Sequence, residues 1–430
     1  MNILLFALGS HGDVHPFVGI GIRLRERGHR VFVAANPYFR PVIEHAGLSL
    51  IPIGTGEEYR RLALSRDLWH PTRSARKVFG GTAMYLRPMY DVAVEFCRSH
   101  ADGVIAASSL ALGARVAQEK FDLPLASVHL SPALFQSAHA PPHLPVLRAL
   151  PAWSPVAVRR LVLGGMNAGI DALIGPPLNA FRAELGLPPV RGILANWWHS
   201  PRMVIGLFPD WFARPQADWP AQARLTGFPL FDEPDHCPIS PELDAFLGDG
   251  EPPVAFTPGS AMWTGHRFFS ASVEACAHLK RRGLLLTRHA EHLPSRLPAG
   301  VIHMPYAPFS QLLPRCAALV HHGGIGSSAQ ALAAGVPQLV TPFTHDQPDN
   351  AERLKRLGVA AVLPPEEYAA DRVSRVLRDL IASPRVARAG REVASRLSGV
   401  DAIGSTCELI ESLARATDHA REAEPVAPRC

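Results

Sequence analysis

The sequence predicts an α/β protein with two doubly wound parallel sheets. Short apolar runs alternate with helical stretches along most of its 430 residues, a pattern typical of parallel sheets covered by helices on both faces. The alternation occurs twice, before and after a segment rich in proline and aspartate at 232–253, which indicates a connection between two domains. The length is sufficient for two domains of ordinary size.

Composition narrows the class of protein. A hydrophobic content of 47% with 19% charged residues is typical of a globular chain. The net charge of +5 is small and no basic run occurs, so nucleic acid is not a predicted partner, whereas weak attraction to an anionic membrane surface stays open. The six cysteines form no CxxC pair, so neither a zinc site nor a disulfide framework is predicted.

The N-terminus shows no targeting pattern. Met1 is followed directly by an apolar strand, and no uninterrupted apolar stretch reaches the length of a membrane span. We therefore expect a cytoplasmic protein, with peripheral contact with the inner membrane left open.

The first half begins with a strand, a glycine-containing loop and a helix. We predict that this helix starts at Pro16, because proline suits the first helical position, and that it ends before Gly28. The unit lacks GxGxxG, which argues against a dinucleotide-dependent oxidoreductase. Strands are predicted at 2–8, 30–34, 48–53, 104–107, 125–130, 203–208 and 225–228, and helices at 16–27, 39–46 and 110–121.

Two longer segments, 57–100 and 141–200, interrupt this alternation. Because insertions in such domains follow strand ends, where ligands bind, their aromatic residues could form an apolar acceptor pocket. They could equally belong to the core, and the sequence leaves both interpretations open. The aromatic residues are Trp69, Tyr85, Tyr90, Trp153, Trp197 and Trp198.

The second half repeats the pattern. Strands are predicted at 254–257, 283–287, 301–304, 317–320 and 337–342, and helices at 241–247, 267–282, 309–316, 327–334, 349–357, 368–382, 385–397 and 403–417. The predicted domains are 1–231 and 254–418, joined by the connection at 232–253 and followed by a flexible tail at 419–430.

The most informative stretch is 317–358. Its first strand ends in His321-His322, followed by a glycine-rich turn at 323–326 and a helix that opens with Ser327-Ser328. A helix N-terminus exposes free N–H groups and the positive end of the macrodipole, and glycines let the backbone approach an anion. With a histidine as a further donor, this indicates a diphosphate site. The alternative is an ordinary strand–turn–helix corner.

The following strand carries an acid–amide pair, Asp346-Gln347, after its carboxyl end. Such a pair can bind adjacent hydroxyl groups, as sugar recognition requires. Asp346 could instead only cap the next helix. We favour sugar recognition because the pair lies one strand after His322.

This arrangement resembles the donor-binding motif of family 1 nucleotide-sugar glycosyltransferases, in which an HxGxGS/T turn is followed by GVP and DQ. Further segments are similar to the rhamnosyltransferases of rhamnolipid biosynthesis within that family. They read SLALGAR, LFPDWFARPQADWP, TGFPLFD and HDQPDNAERLKRLG. The resemblance covers most of the chain. It implies the GT-B fold, in which two Rossmann-like domains face each other across a cleft, an N-terminal domain that binds the acceptor and a C-terminal domain that binds the donor.

The resemblance also implies roles for individual residues. Asp346 and Gln347 would bind the donor sugar. The nucleobase would lie against Pro305, Tyr306 and Ala307. The donor diphosphate would contact Ser260, His322, Gly324, Gly326, Ser327 and Ser328, although Ser260 could equally be a turn or capping serine.

Asp13 is the predicted catalytic base. Many relatives have GHxxP in the N-terminal loop, with the histidine as base, whereas this chain has Gly12-Asp13-Val14-His15-Pro16. A carboxylate can accept the acceptor proton late in the transition state, and burial would raise its pKa towards a better match. His11 and His15 are the alternative bases, and Asp13 could instead only cap the helix at Pro16.

The predicted reaction is an inverting transfer, because no second carboxylate is placed as a covalent nucleophile. No metal-binding DxD and no cofactor are expected. The resemblance implies that L-rhamnose moves from dTDP-L-rhamnose to the hydroxyl of a 3-(3-hydroxyalkanoyloxy)alkanoic acid, giving mono-rhamnolipid. It also implies the enzyme that makes this lipid acid as a partner. The alternatives are a polyketide or sterol aglycone as acceptor, a nucleotide-sugar epimerase, or a donor-binding protein without activity.

Overall fold

Two parallel sheets form the framework of the protein. The computed structural model describes residues 1–63, 65–70, 73–144, 147, 150–151, 153–232, 238–259 and 265–423. The strands of the first sheet are β1 (Asn2–Ala7), β2 (Arg30–Ala35), β3 (Ser49–Pro52), β4 (Gly103–Ser108), β5 (Leu125–His129), β6 (Met203–Gly206) and β7 (Ala223–Leu225). They lie in the order β3-β2-β1-β4-β5-β6-β7, and every pair is parallel.

The second sheet repeats this topology. Its strands are β8 (Val254–Thr257), β9 (Gly283–Leu286), β10 (Val301–Met304), β11 (Ala318–His321), β12 (Gln338–Val340) and β13 (Ala360–Val362). Their order is β10-β9-β8-β11-β12-β13, again all parallel. The predicted class of two doubly wound α/β domains is confirmed. We did not predict β13, because three small, half-buried residues make no distinct apolar run.

Helices cover both sheets. Those of the first half are α1 (His11–Glu26), α2 (Arg40–His45), α3 (Gly56–Ala63), α4 (Ser74–Met84), α5 (Leu86–Ser99), α6 (Leu112–Phe121) and α7 (Val156–Glu184). Those of the second half are α8 (Pro241–Gly248), α9 (Gly265–Leu279), α10 (Phe309–Leu312), α11 (Ile325–Ala334), α12 (Gln347–Arg356), α13 (Ala370–Ala382), α14 (Pro384–Leu397) and α15 (Ala402–Ala423).

The start of α1 differs from the prediction. The helix begins at His11, and Pro16 lies inside it. Ser10 occupies the N-cap, and its backbone N–H and hydroxyl both donate to Oδ2 of Asp13, at 2.7 and 2.9 Å. This reciprocal capping fixes the N-terminus five residues before the proline.

The sides of β1 show why the sheet is buried on both faces. Leu4 and Phe6 pack in the core formed with α5, α6 and α7, whereas Ile3 and Leu5 pack in the core formed with α1. All four side chains are fully buried, so the uninterrupted apolar run of β1 reflects two covered faces.

The last helix crosses back to the first sheet. Cys407, Ile410 and Leu413 of α15 are buried in the same core as β1 and α1, and the Thr406 hydroxyl donates to that of Thr226 at 2.9 Å. The predicted boundary at 418 therefore does not follow the packing, because α15 buries its apolar face on the first domain. The helix also continues through 419–423, part of the predicted tail.

Part of the predicted connection belongs to the second domain. Leu243 and Leu247 of α8 are buried against Ala255 and Leu284 of the second sheet. Ser240 caps this helix by accepting a hydrogen bond from the Leu243 N–H at 3.2 Å. This part of 232–253 is thus a packed helix.

Candidate functional site

The two domains meet where the carboxyl ends of their strands face each other. The loop after β9 reaches the first domain, because Nη1 of Arg288 lies 3.3 Å from Nε2 of His11. Asp346, after β12, is close enough to Asp13, after β1, for its charge to raise the pKa of Asp13. The crevice therefore lies outside the strand ends of both doubly wound sheets, the usual ligand position in such folds.

His322 lies immediately after β11. Its ring is held between two glycines: an added Cβ on Gly259 would be 2.7 Å from its Cε1, and one on Gly324 would be 2.5 Å from its Nε2. Its Nδ1 is buried without a hydrogen-bond partner among the described residues. Burial lowers the pKa of His322 to about 4, so the ring is neutral at pH 7 and keeps one N–H to donate.

Both ring nitrogens of His321, the other member of the pair, have hydrogen-bond partners within the protein. Its Nδ1 accepts a hydrogen bond from the Gly323 N–H at 3.2 Å, so the tautomer that donates from Nε2 faces Oε1 of Gln338 at 3.0 Å. Burial lowers the pKa of His321 to about 3. Of the two histidines, His322 alone has a ring nitrogen without an assigned partner.

The predicted anion site is the N-terminus of α11. The chain enters it through Gly323, whose φ of +90° favours glycine. The helix begins at Ile325, earlier than predicted, so the free amides are those of Ile325, Gly326 and Ser327. Ser328 follows these three residues, and its N–H and hydroxyl both donate to the Gly324 carbonyl, at 3.0 and 2.9 Å; its phosphate contact stays a prediction. Both of its donors are used inside the helix.

Asp346 precedes α12 without capping it through its side chain. Its Oδ2 instead accepts a hydrogen bond from Nδ2 of Asn350 at 2.8 Å. Burial raises the pKa of Asp346, while hydrogen bonds from Asn350 and Ser131 lower it. The helix begins at Gln347 and not at Asp349 as predicted, so Asp346 occupies the N-cap position but makes no capping hydrogen bond with its side chain.

The side-chain amide oxygen of Gln347 bonds to the loop that precedes α12. Its Oε1 accepts hydrogen bonds from the backbone N–H groups of Phe343 and Thr344, at 2.9 and 3.3 Å. This leaves its Nε2 as the donor that the predicted sugar contact would use. The preceding residue, His345, has a φ of +59° and contacts the Leu68 carbonyl of the first domain at 3.2 Å.

Hydrogen bonds hold the Asp13 carboxylate through one of its two oxygens. Its Oδ2 accepts both hydrogen bonds from Ser10, and none of the described contacts involves Oδ1. Gly9, with a φ of +132°, makes room for the carboxylate, because a Cβ there would lie 2.3 Å from Oδ2. Asp13 therefore both caps α1 and keeps one oxygen able to accept a proton.

The electrostatics of this loop separate Asp13 from the alternative bases. Burial raises the pKa of Asp13 to about 6, against the lowering effect of the Ser10 hydrogen bonds, and the Asp346 charge raises it further. Burial and Arg288 lower the pKa of His11 to about 3 and that of His15 to about 4. Because a general base works best with a pKa near the working pH, Asp13 is the better match.

The predicted nucleobase segment follows β10. Ala307 is buried and Tyr306 half-buried, and the guanidinium carbon of Arg288 lies 5.6 Å from the Tyr306 ring centre. The same Arg288 contacts His11, so this segment lies at the domain boundary. Pro305 is exposed. The predicted phosphate contact Ser260 lies outside the described residues.

Sequence reasoning missed Asn350, which connects the parts of the site. Its Nδ2 donates to the Gly323 carbonyl at 3.0 Å as well as to Asp346, and its Oδ1 accepts from the Ser131 hydroxyl of the first domain at 3.3 Å. It is fully buried. Its position four residues after Asp346, on the same helix face, was the available signal.

The aromatic residues of the two insertions divide between core and surface. Tyr90, Trp197 and Trp198 are buried in the core that β1 forms with α5, α6 and α7, so the core interpretation holds for these three. Trp153 is exposed. Tyr85 lines a cavity of about 730 Å³ between α3 and α4; the Trp69 ring centre lies 6.1 Å from that of His345.

Within the described residues, no group of three or more His, Cys, Asp or Glu side chains is arranged to hold a metal ion. Burial is the largest cause of the pKa shifts of the titratable groups in the crevice, which are Asp13, His322 and Asp346.

Known proteins share this architecture. Residues 3–139 match the glycosyltransferase family 28 N-terminal domain, and residues 283–405 match the erythromycin biosynthesis protein CIII-like C-terminal domain. The O-mycaminosyltylonolide 6-deoxyallosyltransferase of Streptomyces fradiae is 32% identical over 97% of this chain and 99% of its own.

Solved structures agree. The glycosyltransferase of kitacinnamycin has a TM-score of 0.73 at 21% identity, over 96% of this chain and 98% of its own. VinC in complex with dTDP has a TM-score of 0.66 at 22% identity, over 97% of this chain and 100% of its own. These likenesses show the GT-B fold.

Proposed function

The chain belongs to the GT-B nucleotide-sugar glycosyltransferases that combine a family 28 N-terminal domain with an EryCIII-like C-terminal domain, and from this premise we propose that it is an inverting enzyme acting on the hydroxyl of a natural-product aglycone. One observation carries the proposal. The buried carboxylate of Asp13 has one oxygen without a hydrogen bond from the described residues, and it lies near enough to Asp346 for that charge to raise its pKa.

The donor would be held by its diphosphate. The unpartnered Nδ1 of His322 and the amides of Ile325, Gly326 and Ser327 supply donors that need no rearrangement as negative charge develops on the leaving group. Because His322 is neutral at pH 7, it stabilises this charge through a hydrogen bond and not through a full positive charge. Gly324 and Ser328 would also contact the diphosphate, and Gly324 leaves room for the His322 ring.

The sugar and the acceptor would meet between the domains. Oδ1 of Asp346 and Nε2 of Gln347 would orient the sugar hydroxyls. Oδ1 of Asp13 would accept the proton of the acceptor hydroxyl as its oxygen attacks the anomeric carbon and the C–O bond to the diphosphate breaks. Pro305, Tyr306 and Ala307 would hold the base, and Ser260 a phosphate.

The crevice contains a second carboxylate, which the sequence-based expectation of inversion had not placed beside Asp13. Asp346 is held by Asn350, and we assign it to sugar binding and not to covalent attack. The test is the anomeric configuration of the product by NMR. Retention of configuration would make Asp346 a candidate nucleophile and would overturn the assignment.

The narrower proposal concerns the substrates. We propose dTDP-L-rhamnose as donor and a 3-(3-hydroxyalkanoyloxy)alkanoic acid as acceptor. The support is the likeness of four segments to the rhamnosyltransferases of rhamnolipid biosynthesis, and VinC was solved with dTDP. A polyketide aglycone is the second candidate, because the Streptomyces fradiae relative is named for a tylonolide acceptor.

A panel assay separates these candidates. The purified protein is incubated with dTDP-L-rhamnose or UDP-glucose, each alone, with the lipid acid and with a macrolide aglycone, and products are identified by mass spectrometry. Rhamnosylated lipid acid supports the narrower proposal, and glycosylated macrolide alone replaces it. Epimerised donor without acceptor would indicate an epimerase, and no turnover of any donor would indicate a binding protein.

We also propose a cytoplasmic location, with the lipid acid supplied by a separate acceptor-synthesising enzyme. No cofactor or metal ion is part of the proposed reaction. Turnover that stays unchanged after dialysis against EDTA would support this, and loss of turnover restored by a divalent cation would contradict it.

A further inference from the structure

A large apolar surface lies outside the crevice, on α7. Of the eight large hydrophobic side chains that are exposed in the described part of the chain, five lie on this helix, just before it or on the neighbouring α4. They are Met84, Trp153, Val158, Leu161 and Leu173, of which Trp153 is 82% and Leu161 76% exposed.

One side of α7 stays largely exposed within the part of the chain that the structure describes. Three residues in its second half pack into the core that β1 forms with α5 and α6, namely Ile174, Leu178 and Phe181. By length and composition the helix could cross a membrane, yet only 22% of its most apolar 18-residue stretch is buried. A Cβ added at Gly164, Gly165 or Gly169 would meet no atom within 4 Å. The helix thus lies on the domain with one apolar side uncovered.

This exposed side carries no carboxylate. Before Glu184 at its C-terminus, the acidic residue of α7 is Asp171. Both of its oxygens accept hydrogen bonds from backbone N–H groups of the inner chain, from Gly192 at 2.6 Å and Ile193 at 2.9 Å. Its charge is therefore turned towards the domain, away from the apolar surface.

Cationic residues border the same surface. Leu173 and Met84 line the cavity of about 730 Å³ together with Arg73, Arg76 and Lys77. Two carboxylates of this cavity are already engaged: one pairs with Arg73 at 3.3 Å, and the other accepts a hydrogen bond from the Tyr85 hydroxyl at 2.9 Å. They belong to Asp67 and Glu58.

Of the other three cations of the cavity, Arg61 pairs with Glu57 at 3.0 Å, whereas Arg76 and Lys77 have no ion pair within the described residues. Arg160, on α7 itself, is exposed next to Leu161. The apolar surface is therefore bordered by positive charge on two sides.

We propose that the exposed side of α7, with Met84 and the cations of α4, docks on the surface of a bilayer that contains anionic lipids. Trp153 and Leu161 would enter the boundary between headgroups and acyl chains, as aromatic and apolar residues of interfacial helices do. Arg76, Lys77 and Arg160 would lie at the level of the lipid phosphates. A second copy of the chain fits less well, because its cations would add to those of the first.

The test measures sedimentation with vesicles of phosphatidylcholine containing about 30% phosphatidylglycerol, a model of an anionic leaflet. We expect the protein to bind these vesicles, to bind phosphatidylcholine alone much more weakly, and to be released by high salt. The substitution Leu161→Glu lowers the partition coefficient at least ~10-fold. Val400→Glu, at a 52% exposed position between α14 and α15, leaves it unchanged.

A charge variant tests the role of the cations at the level of the lipid phosphates. The double substitution Arg76→Glu and Lys77→Glu is expected to lower binding to the anionic vesicles and to leave the weak binding to phosphatidylcholine unchanged. Turnover of a water-soluble acceptor by Leu161→Glu stays at the wild-type rate, which shows that the variant is folded and separates this surface from the crevice.

Three results would overturn the proposal. The first is an unaltered protein that does not sediment with the anionic vesicles. The second is a Leu161→Glu variant that binds them as well as the unaltered protein. The third is a dimer in light scattering that becomes a monomer on Leu161→Glu without any vesicle binding, which would assign the surface to a second copy.

Discussion

The carboxyl group of Asp13 is held by Ser10 on one oxygen and is raised in pKa to about 6, chiefly by burial. As a base it must be ionised, so kcat/KM is expected to fall about tenfold per pH unit below pH 6. In Asp346→Asn the neighbouring negative charge is lost, the pKa of Asp13 falls and the acid limb moves to lower pH. A pH–rate profile of the unaltered protein checks the acid limb, and one of Asp346→Asn checks its shift. An acid limb that stays in place in the variant contradicts an effect of the Asp346 charge on Asp13.

Removing the base separates catalysis from binding. We expect Asp13→Asn to lower kcat at least ~100-fold, because general-base catalysis is lost, while the dissociation constant of the donor, measured by calorimetry, stays close to the wild-type value. Asp210→Asn, at an exposed aspartate, serves as control and keeps full activity. A parallel loss of donor affinity in Asp13→Asn would show that the residue acts on donor binding.

Gly9 tests the position of the same carboxylate. A Cβ at this residue would lie 2.3 Å from Oδ2 of Asp13, whereas a Cβ at Gly12 would approach no closer than 3.7 Å, to Oγ of Ser10. Because misplacement of a reacting group by about 1 Å can cost ~100-fold in rate, Gly9→Ala is expected to lower kcat by about 10- to 100-fold. Gly12→Ala is the matched control and should keep most of its activity in the same assay.

Among the elements, α12 joins the two domains at the site. Asn350 bonds to Gly323, Asp346 and Ser131, and Asp349 of the same helix accepts a hydrogen bond from the His143 N–H of the first domain at 2.9 Å. Orientation of the proposed sugar-binding end of α12 is thus linked to the acceptor domain.

Asn350→Ala removes this link. We expect the KM for the donor to rise about tenfold or more, and the free energy of unfolding to fall by about 1–3 kcal/mol, because buried hydrogen-bonding groups lose their partner. Asn179, whose side-chain amide bonds to the backbone of Val190 at 2.8 and 3.1 Å, is the control. Asn179→Ala should lower stability in urea unfolding without changing the donor KM. Equal KM values in the two variants would give Asn350 a structural role alone.

Whether a helix or strand could be predicted depended on the local signals in its sequence. The strand–turn–helix of β11 and α11 was predictable because an apolar run, four residues of a glycine turn and a glycine stop at Gly335 mark it. The start of α1 was not, because the capping by Ser10 and Asp13 outweighs the proline signal. The turn also predicted the importance of His322, whereas its separation from His321 depends on hydrogen bonds that only the fold creates.

At the scale of the whole molecule, the fold class could be predicted but the course of the last helix could not. An amphipathic pattern shows that α15 has an apolar side, not which sheet receives it. Its side chains complete the core of the first domain, 400 residues after β1, while α8 of the predicted connection completes the core of the second. The two domains therefore share more structure than their sequence boundaries indicate.

This sharing has a measurable effect on stability. Ile410 is fully buried in the core of the first domain. We expect Ile410→Ala to lower the free energy of unfolding by about 2–5 kcal/mol, with loss of near-UV signal from the first domain. Val400→Ala, at an exposed position, should change it by less than about 0.5 kcal/mol. If the two variants unfold alike, α15 contributes little to the first domain.

During translation, the first domain emerges long before the helix that closes its core. Domains generally fold in the order in which they are synthesised, but the apolar surface of α1 and β4 on which α15 packs stays uncovered until α15 itself has been made. The nascent chain therefore presents this apolar surface to chaperones until α15 is made, and a product that stops before Ala402 would keep it exposed.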